Sequence, residues 1–187
     1  SRSNAELEMI PHEVNALRIR ADVTKEDEVE NVAAVAIKQY GAIDIWINNA
    51  GIWIPHALAE NMDMKRVHDM MEVNLFGTIY GSRAAVRYMK NKGAGVIVNI
   101  LSTSALEGRI GSSGYAASKY AAVGFTKSLR LETRDKGMKV IAIYPGGMRT
   151  NLFDEQKPQD YEQYMDPALV AEKIVENLKQ NNPQEEL

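Results

Sequence analysis

Three short apolar runs, at residues 43–47, 96–100 and 140–144, each stop at a turn of small or rigid residues, and long helix-patterned segments lie between them. Runs of that length, rich in Ile and Val, read as buried strands. Strands that alternate with helices leave few folds open, because parallel neighbours need a crossover and crossovers within one sheet are right-handed. The expected architecture is α/β: a doubly wound parallel sheet between two helical layers, forming one domain over residues 1–187. Residues 17–21 read as a further strand. Thr24 is the expected cap of a helix over about 25–40, with Asp27 as the capping-box acid and Val29, Val32, Ala33, Ala36 and Ile37 as its buried stripe. Gly41 closes that helix. Long helices are expected over about 64–90 and 113–136, and Asp166 before Pro167 marks the start of the last one.

Open α/β sheets bind ligands beyond the carboxyl ends of their strands, so the turns there carry the functional expectation. The first strand runs into Asn48, Asn49, Ala50 and Gly51, small enough to let backbone approach a flat ligand. The second ends at Ser102, and the third at Pro145, Gly146 and Gly147, with Thr150 close behind. Thirteen residues after Ser102 comes Tyr115, with Lys119 four further on. Residues i and i+4 share a helix face about 5–6 Å apart, so the ammonium can sit near the phenol. A nearby cation lowers a phenol from its ordinary value of about 10 toward the range useful for proton transfer. Ser102 has a plainer reading as a strand cap, with Thr103 and Ser104 as alternatives. Asn74 has one as a polar residue that kinks its helix.

Taken in order and spacing, Asn48 to Gly51, Asn74, Ser102, the Tyr115/Lys119 pair and Pro145-Gly146 with Thr150 resemble the short-chain dehydrogenase/reductase family, over nearly the whole chain. The resemblance implies a Rossmann-like fold and an oxidoreductase that exchanges hydride between NADP(H), with NAD as the alternative, and a carbonyl or alcohol substrate. It implies that Tyr115 is the general acid/base and that Ser102 hydrogen-bonds the substrate oxygen. Lys119 and Asn74 support them: the lysine at the nicotinamide ribose, the asparagine through a water relay. For the cofactor it implies Arg2 at the extra phosphate, Asp22 on the adenine amine and Val23 beside the ring. Asn49, Ala50 and Gly51 fall on the adenosine side, with Tyr115, Lys119, Pro145, Gly146 and Thr150 completing the set. It also implies a homodimer or homotetramer built on the two long helices, and a substrate loop at 151–165.

Composition narrows the alternatives. The chain has 187 residues, 45% of them hydrophobic, enough for a sizeable core. A formal charge of −3 offers no basic footprint, so nucleic acid is not an expected partner. No apolar run reaches membrane-spanning length. With no cysteine and only His12, His56 and His68, scattered, no metal site is expected. A cytoplasmic location fits the cysteine-free chain.

The glycine-rich turn that holds the diphosphate in dinucleotide-binding folds is missing, since Gly41 is the only glycine before Asn48. Residues 1–4 resemble the turn after the family's second strand, and residues 183–187 stop where a last strand would begin. The native protein is therefore expected to extend past both ends. The sequence leaves the substrate open, with Trp53, Met148, Leu152 and Tyr164 as a candidate apolar wall. Two other functions stay open. An epimerase or dehydratase of the extended branch would carry a larger C-terminal domain; a non-catalytic dinucleotide sensor or scaffold would have no need of the four catalytic residues.

Overall fold

The alternation of strand and helix is realised in a computed structural model that describes residues 3, 7–8 and 16–187. In order come α1 (Glu26–Tyr40), β1 (Ile45–Asn48), α2 (Met64–Met71), α3 (Gly77–Lys92), β2 (Gly95–Ile100), α4 (Ser113–Thr133), β3 (Met138–Ile143) and α5 (Pro167–Leu178). The strands form one parallel sheet in the order β1-β2-β3. At the outer edge of β3, Ala142 N donates to Glu185 O at 2.8 Å and Tyr144 N to Leu187 O at 2.7 Å, so pairing begins where a last strand was expected.

Side-chain alternation along the strands divides the core. Ile97 and Val140, which are register partners, pack with Ala84, Ala85 and Met89 of α3 and Leu129 of α4. Val98 and Ile141, one position on, face the other way toward Ile174 and Leu178 of α5. Successive apolar residues packed on opposite faces are what a sheet buried on both faces produces. On β1 the second face is not covered: Ile45 and Ile47 are 46% and 49% exposed.

Several local expectations are corrected. Residues 17–21 join no ladder among the described residues, because no neighbouring strand supplies the hydrogen bonds that define one. Thr24 is not a helix cap. Its N–H and hydroxyl both donate to Asp22 Oδ1, at 3.0 and 2.9 Å, making an Asx turn one step earlier, and Lys25 takes the cap position without a side-chain bond. The acid that reaches back is Glu28, not Asp27: its Oε2 accepts from Asp22 N at 2.8 Å. The helix expected over 64–90 is interrupted by a π turn, Glu72–Phe76, and runs on to Lys92. The α-helical part of the next ends at Thr133, with a 3-10 turn through Lys136. Gly41 does close α1, at φ +80°, and Asp166 caps α5 by accepting from Ala168 N at 2.8 Å.

A buried polar chain locks the sheet to its helices. Asn48 and Asn99 are register partners, and Asn48 Nδ2 donates to Asn99 Oδ1 at 2.8 Å and to Ser82 Oγ of α3 at 2.9 Å. Asn99 Nδ2 donates to Thr126 Oγ1 of α4 at 2.9 Å, and Trp46 Nε1 donates to Asn48 Oδ1 at 2.7 Å. Gly81 makes room for it, since a Cβ there would fall 2.1 Å from Asn48 Oδ1 and 2.7 Å from Trp46 Nε1.

Gly81→Ala is therefore expected to destabilise the natural protein by about 1–3 kcal/mol through overpacking. Gly124→Ala on α4, where a Cβ meets nothing within 4 Å, should be neutral or gain up to about 1 kcal/mol of helix propensity. Urea unfolding of the two variants checks the contrast, and equal effects would contradict it.

Candidate active site

The parallel register levels the carboxyl ends of β1, β2 and β3, and the turns beyond them enclose a cleft of about 980 Å³. Its walls include Asn49, Ala50, Gly51, Ser102, Tyr115, Lys119, Pro145, Gly146 and Thr150. Thr103 N donates to Pro145 O at 3.0 Å, fastening the second turn to the third.

Ser102 is nearly buried, and its Oγ accepts from Ser104 N at 3.1 Å, which makes it the cap of the turn Thr103–Ala105. The same side chain shares the cleft wall with the Tyr115 phenol and acts to lower its pKa. The plain and the chemical readings of Ser102 are therefore both realised. On α4, Lys119 is buried, and its ammonium lies 5.8 Å from the Tyr115 ring centroid while donating to Ile100 O at 3.1 Å.

The electrostatics differ from the sequence expectation. Burial pushes the Tyr115 phenol above its ordinary value, and the neighbouring Ser102 hydroxyl only partly offsets this. Burial also lowers the Lys119 ammonium to about 8. The expectation that Lys119 pulls the phenol down is corrected: desolvation outweighs a cation that is itself poorly solvated and held on a backbone carbonyl.

Asn74 sits in the π turn between α2 and α3, fully buried. Its side chain does not bond its own helix. Nδ2 donates to Ile52 O at 2.9 Å and to Ser118 Oγ at 3.1 Å, and Oδ1 accepts from Ile52 N at 2.9 Å. Ser118 Oγ donates in turn to Tyr115 O at 2.8 Å, so Asn74 links the turn after β1 to the helix that carries Tyr115. The spare residue of the π turn aims the amide inward, a placement π bulges often serve. Gly51 lies between these groups: a Cβ on it would stand 3.5 Å from Asn74 Oδ1 and 3.7 Å from Lys119 Nζ.

Other expected residues fall elsewhere. Arg2 lies outside the described residues. Asp22 holds the Asx turn before α1 and does not line the main cleft. Val23 packs on Gly77 and, with Asn49 and Ala50, lines a separate small hollow.

Across the cleft, the segment 151–165 forms a closed loop. Its ends are joined by a parallel bridge between Met148 and Met165, with Arg149 N donating to Met165 O and Met165 N to Gly147 O, both at 3.0 Å. Trp53, Met148, Leu152 and Tyr164 all reach the cleft, as does Phe153, which the sequence reading missed. Phe153 meets Trp53 and Tyr164 edge-on, at centroid distances of 5.2 and 5.5 Å. Gly147 has no side chain because the Tyr164 ring occupies the place, 2.6 Å from where a Cβ would be. Arg66 of α2 makes a two-pronged ion pair with Glu155, at 2.8 and 2.5 Å, tying the loop to the opposite rim. Among the described residues no cluster could hold a metal ion, and no helix is long and apolar enough to cross a membrane.

A family model described as short chain dehydrogenase matches residues 1–161. The 3beta-hydroxysteroid dehydrogenase 2 of Eggerthella lenta is 39% identical over 135 residues, which cover 72% of this chain and 52% of that one. An alcohol dehydrogenase from the archaeon Thermococcus sibiricus, solved in complex with 5-hydroxy-NADP, aligns with a TM-score of 0.90 at 26% identity, over 100% of this chain and 81% of its own. The 3-ketoacyl-(acyl-carrier-protein) reductase from Brucella melitensis, in complex with NADH, aligns at 0.86 and 28% identity, over 93% and 76%. The chain spans about half the length of the curated relatives it matches, 52%, 48% and 55% in three of them.

Burial of Lys119 predicts a pH signature. Its folded value, about 8, lies below the ordinary 10.5, so between those values the unfolded chain holds the proton more tightly and stability rises with pH. Below about pH 8 the cost of the buried charge is fully present. Lys119→Met should be more stable than wild type at pH 7, by on the order of 2 kcal/mol after loss of the Ile100 hydrogen bond, and should lose the rise. Denaturant titrations at a series of pH values check this, and an unchanged slope would contradict it.

Proposed function

The chain belongs to the short-chain dehydrogenase family, and on that premise we propose that it transfers a hydride between NADP(H) and a carbonyl or alcohol substrate, with Tyr115 as the general acid/base. The observation that carries this reading is the convergence of Ser102, Tyr115 and Lys119 on one cleft, with the Lys119 ammonium 5.8 Å from the Tyr115 ring centroid.

The residues present suit a dinucleotide. Asn49, Ala50, Gly51, Pro145, Gly146 and Thr150 give one side of the cleft a wall of short side chains and exposed backbone, open to a flat ligand. Lys119 uses one N–H on Ile100 O, which leaves donors for ribose hydroxyls. Asp22 and Val23 would lie on the adenine side, and Arg2, with no acid beside it in sequence, favours the extra phosphate of NADP. The NADP derivative in the Thermococcus sibiricus neighbour supports that choice; the NADH in the Brucella melitensis neighbour keeps NAD as the alternative. When bound, the nicotinamide supplies or accepts the hydride.

In the reducing direction Ser102 Oγ holds the carbonyl oxygen, and the Tyr115 hydroxyl gives that oxygen its proton as the carbon gains the hydride. The balance is one ketone, one hydride and one proton to one alcohol. Burial keeps the phenol protonated at neutral pH, so reduction should fall as pH rises through its raised value, while alcohol oxidation gains. The Lys119 cation, still charged at pH 7, stabilises the phenolate as it forms. Asn74 positions α4 through Ser118 and the cleft floor through Ile52. The loop at 151–165 covers the substrate.

Exposed Phe76, Tyr120 and Leu131 along the two long helices fit a homodimer or homotetramer, which sedimentation velocity would reveal as a mass of two or four chains.

In the natural protein Tyr115→Phe should lower kcat/KM for carbonyl reduction by about 10²–10⁴-fold while NADPH binding, read by fluorescence, stays nearly unchanged. A Tyr115→Phe protein that turns over as fast as wild type would sink the proposal. A wild type that binds NADPH and reduces nothing in a broad carbonyl panel would favour the sensor reading.

A further inference from the structure

Five cations lie among the residues that line the cleft or next to them, and four are engaged. Arg66 pairs with Glu155; Lys119 donates to Ile100 O; Arg149 donates to Tyr164 O at 2.5 Å and faces Asp166 at 3.9 Å; Lys157 lies over the Tyr161 ring at 4.8 Å. The fifth, Arg109, lines the same cleft as Ser102 and Tyr115 and, among the described residues, has no carboxylate or carbonyl partner.

Its position is built. The turn after it is closed by Ser112 N donating to Arg109 O at 3.1 Å, and pinned across the rim by Ala57 N donating to Gly111 O at 2.9 Å. Gly111 is at φ +74°, where its backbone fits against His56, 3.1 Å from where a Cβ would be. Arg109 and Tyr164 line the same cleft, and the guanidinium charge acts on the Tyr164 phenol against the larger effects of burial and of Asp160. Trp53, Phe153 and Tyr164 form an aromatic wall of the same cleft. A planar cation, an aromatic wall and a proton donor lining one cleft call for three matching parts in one ligand.

We infer that Arg109 selects carbonyl substrates whose flat apolar body ends in a carboxylate, bound by the guanidinium fork while the body lies on Trp53 and Phe153 and the carbonyl reaches Ser102 and Tyr115. This deepens the reading given above and rests on it for the reaction. The keto acid gains a hydride at carbon from the reduced nicotinamide and a proton at oxygen from Tyr115, and leaves as the hydroxy acid. A fork of N–H donors grips a planar carboxylate in two places, which an ester oxygen pair does not repay with charge.

The test compares 4-acetylbenzoate with its methyl ester, which keeps the ring and ketone and removes the charge, in the natural full-length protein with NADPH. Wild type should prefer the acid by about tenfold or more in kcat/KM, mainly through KM, with the preference shrinking at high salt. In Arg109→Gln the acid-to-ester ratio should fall to near one. Quenching of tryptophan fluorescence on titration with each compound reads the same preference as binding, without turnover. An acid preference in binding that Arg109→Gln abolishes supports the inference even if neither ketone is reduced, in which case it is the reductase reading that suffers. No preference in wild type, no binding of either compound, or a preference that Arg109→Gln leaves intact would overturn it.

Discussion

The arrangement of the cleft depends on the hydrogen bond between the side-chain amides of Asn48 and Asn99, because it fixes the register in which β1 and β2 end level. Each amide reaches outward as well, to Ser82 of α3 and Thr126 of α4, so two strands and two helices share one buried set of donors and acceptors. A slip of one residue would strand those groups without partners, at about 1–3 kcal/mol apiece, and turn Ile97 and Val98 to each other's faces. The cooperative cost defines a single register. With it fixed, the turns after β1, β2 and β3 open on one edge, and a cleft forms there without any further device.

The parts of this design that follow from periodicity were legible in the sequence: three strands, the helices between them, and the glycine and Asp-Pro signals at their ends. Residues 17–21 were not, since an apolar alternation states only that a segment suits a strand, while the ladder depends on a neighbour that sequence does not name. The π turn was hidden for another reason. Residues 64–90 keep a helical pattern throughout, and one extra backbone residue in a turn leaves no mark in side-chain period. Its consequence is that Asn74 points away from its own helix to Ile52 and Ser118. In the cleft, spacing identified Ser102, Tyr115 and Lys119, and the structure brings all three to one cleft. Phe153 and Arg109 carried no pattern. Each is a single residue in a loop, and what it touches is decided by how the loop closes.

The Tyr115/Lys119 pair shows why spacing alone misjudges an electrostatic effect. An i, i+4 relation gives proximity, from which a lowered phenol follows if both groups are well solvated. Here they are not. Burial acts on each toward its neutral form, raising the phenol and lowering the ammonium, and at 5.8 Å from the ring centroid the cation does not reverse this. The pair as it stands holds a proton on the tyrosine, suited to giving it away. The lysine becomes effective when charge develops on the phenol, since a cation in a poorly solvated place interacts most strongly with an anion in the same place. The cost of keeping that ammonium buried falls on folding, and the sheet and helices carry it.

The two sides of the cleft are made by different rules, and this explains why one is legible in the sequence and the other is not. One wall is backbone and small side chains at strand ends, where the constraint is that nothing protrude: Gly51 stands against Asn74 and Lys119, and Gly147 yields its place to the Tyr164 ring. Such a wall is specified by what it lacks, and any flat ligand with donors and acceptors along its edge fits it. The other wall is a closed loop held by a bridge at its ends, by Arg66 and Glu155 at its middle and by rings packed edge to edge. Its exposed ion pair contributes little stability. It does hold the loop that carries Phe153 and Tyr164 against the rim of the cleft that Tyr115 also lines. Substitutions in this loop can therefore reshape the cleft without disturbing the sheet, and on the proposed reading the charge of Arg109 adds a polarity to ligand choice that shape alone does not give.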